Sequence, residues 1–186
     1  MLQFIRNIRR AFMPSPQQLR ANALYNAAVA QSRRPGFYLD GAVPDTLDGR
    51  FDMIVLHVFL VMRRLRDGGP EGEALSQALF DEMFADMDRS LREMGVGDMG
   101  IGRRVRAMGE AFMGRVKAYE EALEQAGGGL EDALARNVYR SSPPPAEALA
   151  AMADYVRREN TALRGFPVAA LMAGEAAFGP APGGGA

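Results

Sequence analysis

Two sets of side chains in this sequence have the types and spacing to do chemistry. The first is a run of carboxylates, Asp81, Glu82, Asp86, Asp88 and Glu93. Wound on a helix, Glu82, Asp86 and Glu93 project along one side, with Asp81 and Asp88 on the other flank. Paired carboxylates on facing helices build di-iron centres, but those require a Glu-x-x-His pair from each of two helices. His57 is the only histidine, so that template fails. A magnesium site of carboxylates and waters asks for less and stays open at this level. Against it stands a charged surface, solvated or facing a partner, in which Asp88 and Arg92 pair at i,i+4, as do Arg89 and Glu93.

The second is His57 itself. A catalytic histidine needs a nucleophile or substrate within hydrogen-bond reach and usually an orienting carboxylate, and no local signature supplies them. Two readings are left: an uncharged core histidine bonded to a neighbour, or a polar group facing a partner. The first is the commoner case for a lone histidine; the projection of His57 on the side of Arg50 and Arg64, away from the main apolar stripe, speaks for the second. The segment Gly95-Val96-Gly97-Asp98-Met99-Gly100 matches the letters of a dinucleotide fingerprint, but that motif needs a preceding strand in a βαβ unit. A helix precedes it here, so the glycines are read as a tight joint with Asp98 capping the next helix. Without cysteine there is no disulfide, thiolate metal site or thiol nucleophile. No cofactor or metal is expected.

What must position these residues is a set of helices. At 186 residues, 48% apolar and 24% charged, the chain fits one domain of ordinary globular composition. Gln17–Arg34 is an alanine-rich helix ended by Pro35-Gly36. A compact loop over 37–48 offers Asp45 or Thr46 as the cap of a helix over 47–67. That helix carries the stripe Phe51, Ile54, Val55, Val58, Met62 and Leu65, yet Leu56, Phe59 and Leu60 make its other side apolar too. A helix apolar all round belongs at the centre of a fold. After Gly68-Gly69-Pro70, a helix over 71–94 lines up Phe80, Phe84, Met87, Leu91 and Met94, and one over 98–126 repeats the pattern with Ile101, Val105, Met108, Phe112, Tyr119 and Leu123. Shorter helices follow over 130–140 and 146–164. The expected fold is all-α: an irregular bundle of about six to seven helices spanning residues 17–165, with a weakly ordered tail over 166–186 that ends in a disordered Gly/Pro/Ala stretch.

Residues 1–13 form a separate basic, amphipathic segment, with Leu2, Ile5, Ile8 and Phe12 at helical spacing and Arg6, Arg9 and Arg10 mostly elsewhere. As a surface foot on a membrane it would use Leu2, Ile5, Arg6, Arg9, Arg10 and Phe12; as a docked or frayed helix it would not. The first acidic residue is Asp40, which suggests an anionic partner for the amino end, although ordinary solvated arginine explains it as well. No secretory signal is expected, and the longest apolar stretch, Met53 to Met62, is ten residues where a span needs about 20. The net charge of −1 gives no reason to expect sequence-specific nucleic-acid binding. Twelve methionines, eight of them in the central helices, suit either core filling or a groove that accepts varied apolar segments.

Several ungapped stretches then carry a family resemblance. Phe37-Tyr38, Gly41-Ala42-Val43-Pro44-Asp45-Thr46 and Asp48-Gly49-Arg50-Phe51-Asp52 lead into Leu56-His57 and Arg63-Arg64-Leu65. Leu79-Phe80-Asp81, Phe84-Ala85-Asp86-Met87-Asp88, Leu91 through Asp98, and Phe112-Met113-Gly114-Arg115 with Tyr119 follow in order. Together, over about Ala23 to Tyr119, they resemble the ubiquinol–cytochrome c chaperone family. The resemblance implies a non-enzymatic, helical assembly factor that binds newly made cytochrome b and promotes assembly of ubiquinol–cytochrome c reductase. Mitochondrial members work with a small partner protein near the ribosome and the inner membrane. Here the implied location is cytoplasmic, peripheral at the inner face of the membrane. Polar residues in the matching stretches that a core does not require are the expected partner contacts: Tyr38, Asp45, Arg50, His57, Asp86, Asp88, Arg92, Glu93 and Asp98. Some are expected to serve as internal braces instead, an arginine paired with a carboxylate between helices being a common device.

Overall fold

A computed structural model of the chain describes residues 14–95, 98–124 and 129–184, with Asp98 and Met99 given by backbone alone. The segment over 1–13, with its proposed foot residues, lies outside the described residues. Six α-helices of eight residues or more and two short ones make up the described fold, all-α as expected. α1 is Pro16–Ser32, α2 Gly36–Leu39, α3 Leu47–Leu65, α4 Gly69–Glu93, α5 Asp98–Glu124, α6 Leu130–Asn137, α7 Ala146–Gly165 and α8 Val168–Met172. A 3₁₀ turn, Arg66–Gly68, joins α3 to α4.

Local chemistry sets the boundaries. Ser15 caps α1 through a capping box, its hydroxyl accepting from the Gln18 N–H while the Gln18 side chain bonds the Ser15 N–H. Thr46, not Asp45, caps α3, accepting from the Gly49 N–H at 3.1 Å. The α3–α4 turn is so tight that a Cβ at Gly72 would lie 1.9 Å from the Leu65 carbonyl oxygen.

α3 is the axis of the bundle, and its two apolar sides face two cores. Met53, Leu56, Phe59 and Leu60 pack with Phe37, Tyr119, Leu134, Met152 and Tyr155 from α2, α5, α6 and α7. Ile54, Val55, Val58, Val61 and Leu65 pack with Leu24, Ala28, Leu75, Leu79 and Met83 from α1 and α4. The alanines of α1 let it lie close along α4, and the two run in the same direction. Gln17 bonds the Ala74 carbonyl, Asn22 bonds Glu82, and Tyr25 bonds Asp86. α4 therefore buries Leu75, Leu79 and Met83. Its other stripe, Phe80, Phe84, Met87 and Leu91, faces α5, where Phe80 meets Phe112 edge to face at 5.2 Å.

The expectation of a weakly ordered tail is corrected for the part described. Residues 166–184 pack back on the bundle, with Leu171, Ala181 and Pro182 buried and Phe178 set against His57. The tail's own backbone supplies the hydrogen bonds. Gln31 donates to the Gly179 carbonyl (2.8 Å), the Gly179 N–H donates to Glu159 (2.8 Å), and Arg158 donates to the Pro180 carbonyl. At Gly36 a Cβ would lie 2.3 Å from the Pro182 carbonyl oxygen, so the tail passes directly over the start of α2.

Candidate functional site

The expected site residues separate into three places. Tyr38, Asp45 and Arg50 come together on the surface before and within the first turns of α3. Arg50 grips Asp45 with two contacts, Nε to Oδ1 at 2.6 Å and a second nitrogen to Oδ2 at 3.2 Å. Its guanidinium lies 5.9 Å from the centre of the Tyr38 ring, and the Tyr38 hydroxyl donates to the Ser32 carbonyl. The Arg50 guanidinium lowers the Asp45 carboxyl from its ordinary value.

His57 is not at the surface. It is fully buried on α3, ringed by Phe37, Tyr155 and Phe178. Its partner-facing assignment is therefore corrected: the ring is a brace of the core. Burial drives its pKa down to about 4, so the imidazole is neutral near pH 7. The Met53 carbonyl, 2.7 Å from Nδ1, can only accept, which places the proton on Nδ1. Nε2 then accepts from the Tyr155 hydroxyl at 2.7 Å, and that oxygen in turn accepts from Gln31 at 3.0 Å. The chain Gln31–Tyr155–His57–Met53 ties α1, α7 and α3 together, and Gln31 extends it to the tail.

The carboxylates of α4 are divided by their partners. Glu82 accepts from Asn22, and Asp86 accepts from Tyr25 at 2.8 Å and from Arg89 at 3.1 Å, so Asp86 is half a brace. Asp86 also takes Arg89 in place of the expected pairing with Glu93, because an arginine on a helix reaches back over the preceding turn. Asp88 and Arg92 form the expected pair at 2.7 Å. Arg92 and Glu93 are exposed at the carboxyl end of α4. Among the described residues no three His, Asp or Glu side chains converge as ligands of a metal ion. The Asp98 side chain lies outside the described residues.

A further feature lies beside them, and no expected site residue whose side chain is described lines it. Between the first turns of α3, the last turns of α4 and the middle of α5 runs an open, mainly apolar groove of about 470 Å³. Leu47 and Phe51 come from α3, Met87, Leu91 and Met94 from the α4 side, and Ala107, Met108 and Ala111 from α5. Leu47 and Met94 are 60% and 51% exposed, unusual for large apolar side chains. The stripe on α4 was legible as a helical face. The missing signal was that α5 opposes it here with two alanines, which leaves a gap where Phe80 and Phe112 close the lower half.

Arginines line both ends of the α5 wall, Arg104 at one and Arg115 at the other. Arg115 and Asp52 are buried together at 2.7 Å, and Arg140 reaches Asp52 and Asp48 at 3.3 Å each. Burial pushes the Asp52 carboxyl up to about 6, with Arg115 and Arg140 opposing. Arg115 Nε and the Tyr119 hydroxyl are buried without a hydrogen-bond partner among the described residues. No helix among the described residues is long and apolar enough to cross a membrane.

The described residues thus form an all-helical bundle with an apolar, methionine-lined groove open beside charged helix ends. Residues 39–178 match the ubiquinol-cytochrome C chaperone family model, and the chain belongs to that family. It is similar to the ubiquinol-cytochrome c reductase complex assembly factor 1 of Mus musculus and of Xenopus laevis. Each is 24% identical over 142 residues, 76% of this chain, covering 48% of the mouse protein and 71% of the frog protein. The chain thus spans about half the length of the mouse relative. Its fold matches the crystal structure of the Cbp3 homolog from Brucella abortus, with a TM-score of 0.79, 34% identity and 97% of each chain covered.

Proposed function

We propose that this chain is a non-enzymatic assembly factor for ubiquinol–cytochrome c reductase, holding cytochrome b or an early intermediate that contains it. The observation that carries this reading is the coincidence of family membership with an exposed methionine-lined groove, whose walls come from stretches inside the matched residues. Methionine is flexible and polarisable, and a groove lined with it accepts apolar segments of varied shape. A hydrophobic subunit awaiting assembly presents such segments. The α4 carboxylates support binding over catalysis, since Glu82, Asp86 and Asp88 are taken up by Asn22, Tyr25, Arg89 and Arg92.

In this reading Arg92 and Glu93 border the client face, and Tyr38, Asp45 and Arg50 form a second polar contact next to Leu47. The basic segment over 1–13 would hold the chaperone against the inner face of the membrane, near the site of client synthesis, and a small partner protein would share the exposed surface. The test is a pull-down of tagged protein from solubilised membranes of its own cell, wild type beside Met94→Asp. Met94 is half exposed, so the variant should keep its helical circular dichroism, which is checked first. Cytochrome b is expected with wild type and depleted several-fold with the variant. No cytochrome b with wild type overturns the function, and equal capture by both moves the client off the groove.

A further inference from the structure

The charges around the groove are unevenly satisfied. At the inner end Arg115 and Arg140 share Asp52, and Arg140 also meets Asp48. Those two carboxylates are thereby occupied. Arg104, which lines the same groove, is exposed and makes no ion pair among the described residues. Arg104, Met108, Ala111 and Arg115 fall at +4, +7 and +11 along α5, one face of a helix. The eleven-residue interval is about 16 Å at 1.5 Å per residue, or three helical turns. The groove thus has the length of a short helical segment, an apolar floor, a neutralised inner end and, at its outer end, a cation with no ion pair among the described residues.

Resting on the assembly-factor reading, we propose that the groove takes an apolar helical client segment bearing a carboxylate, and that Arg104 pairs with this carboxylate and so fixes the segment's register. Apolar contact supplies the affinity and the ion pair supplies the selection, the usual division at an interface. The chain's own segment over 1–13 fits poorly: it carries Arg6, Arg9 and Arg10 and no acidic residue, so it would set like charge against Arg104. A second copy of the chain is separable by experiment.

The probes are three fluorescein-labelled leucine–alanine helical peptides, identical except for one residue near an end: glutamate, glutamine or lysine. Anisotropy titrations with the full chain are expected to rank glutamate first, about fivefold to tenfold tighter than glutamine, with lysine weakest. The preference should shrink as salt is raised. The exposed charge reversal Arg104→Glu, checked for unchanged melting, should invert the order so that lysine binds best. Equal binding of the three peptides by wild type overturns the selection of a carboxylate. So does an order that Arg104→Glu leaves unchanged. If no peptide binds while cytochrome b is still captured from membranes, the inference fails and the assembly-factor reading stands. If wild type is a dimer that Met94→Asp makes monomeric, a second copy fills the groove and the inference fails.

Discussion

Asp52 and Arg115 lie 2.7 Å apart with both side chains buried, one on α3 and the other on α5, at the inner end of the groove. A carboxylate and a guanidinium taken out of water cost several kcal/mol each unless they face one another, so each is held in place by the other. Through this pair the groove's floor is fixed to the axis of the bundle. Asp52→Asn leaves Arg115 charged and uncompensated, and should cost on the order of 3–5 kcal/mol by urea unfolding. Replacing both, as Asp52→Asn with Arg115→Met, should cost clearly less than the two single variants added together. Additive losses in that cycle would show that the pair is not coupled.

His57 gives the fold a particular response to acid. In the unfolded chain the ring takes a proton below about pH 6.5, whereas in the fold it does so only near 4. Between those values the unfolded state holds more protons, so His57 lowers stability as pH falls. Asp52 works the other way: its carboxyl is protonated near 6 in the fold and near 3.8 when unfolded, so acidification through that window favours the fold. The stability difference between wild type and His57→Phe should therefore decline by up to about 3 kcal/mol from pH 7 to pH 4. A difference independent of pH would mean that the fold leaves the pKa of the ring at its unfolded value.

Tyr155→Phe removes one hydroxyl from the middle of the Gln31–Tyr155–His57 chain. It leaves Nε2 of His57 buried without a donor and takes one acceptor from Gln31, at an expected cost of about 1–3 kcal/mol. Because Gln31 also holds the Gly179 carbonyl, amide exchange in the tail should quicken in the same variant. Protection unchanged at the Gly179 amide, which donates to Glu159, would separate the tail from the histidine.

Truncation after Ala177 removes Phe178 from the His57 ring and Gly179 from Glu159. A free tail could be cut without consequence, but this one should lower the melting temperature by several degrees and leave Glu159 buried without its backbone donor. Gly36→Ala should weaken the same contact in the full-length chain, since the new methyl would meet the Pro182 carbonyl. An unchanged melt in both variants would contradict the docked tail.

Much of the fold was legible because its signals are local. Pro14-Ser15-Pro16, Pro35-Gly36 and Gly68-Gly69-Pro70 set helix ends within two or three residues, and the all-round apolarity of 51–65 marks the central helix. The docked tail gave no such signal. It holds on mainly by its own peptide groups, which every sequence possesses, and Gly/Pro/Ala composition has no apolar period to read. The fate of His57 depended on Tyr155, 98 residues away, and the buried state of Asp52 on Arg115. Paired charges at such separations look like surface charge until the helices are placed. The groove was half legible: Met87, Leu91 and Met94 share a stripe, but a gap is a property of what faces it, and Ala107 and Ala111 are silent in a hydrophobic pattern.

If cytochrome b is held in the groove between α4 and α5, it lies within reach of Met94 and away from the exposed Thr161 on α7. Site-specific photo-crosslinking in the protein's own cells, with the photoreactive residue placed at either position, should give a cytochrome b adduct from Met94 and little or none from Thr161. An adduct from Thr161 with none from Met94 would take the client out of the groove.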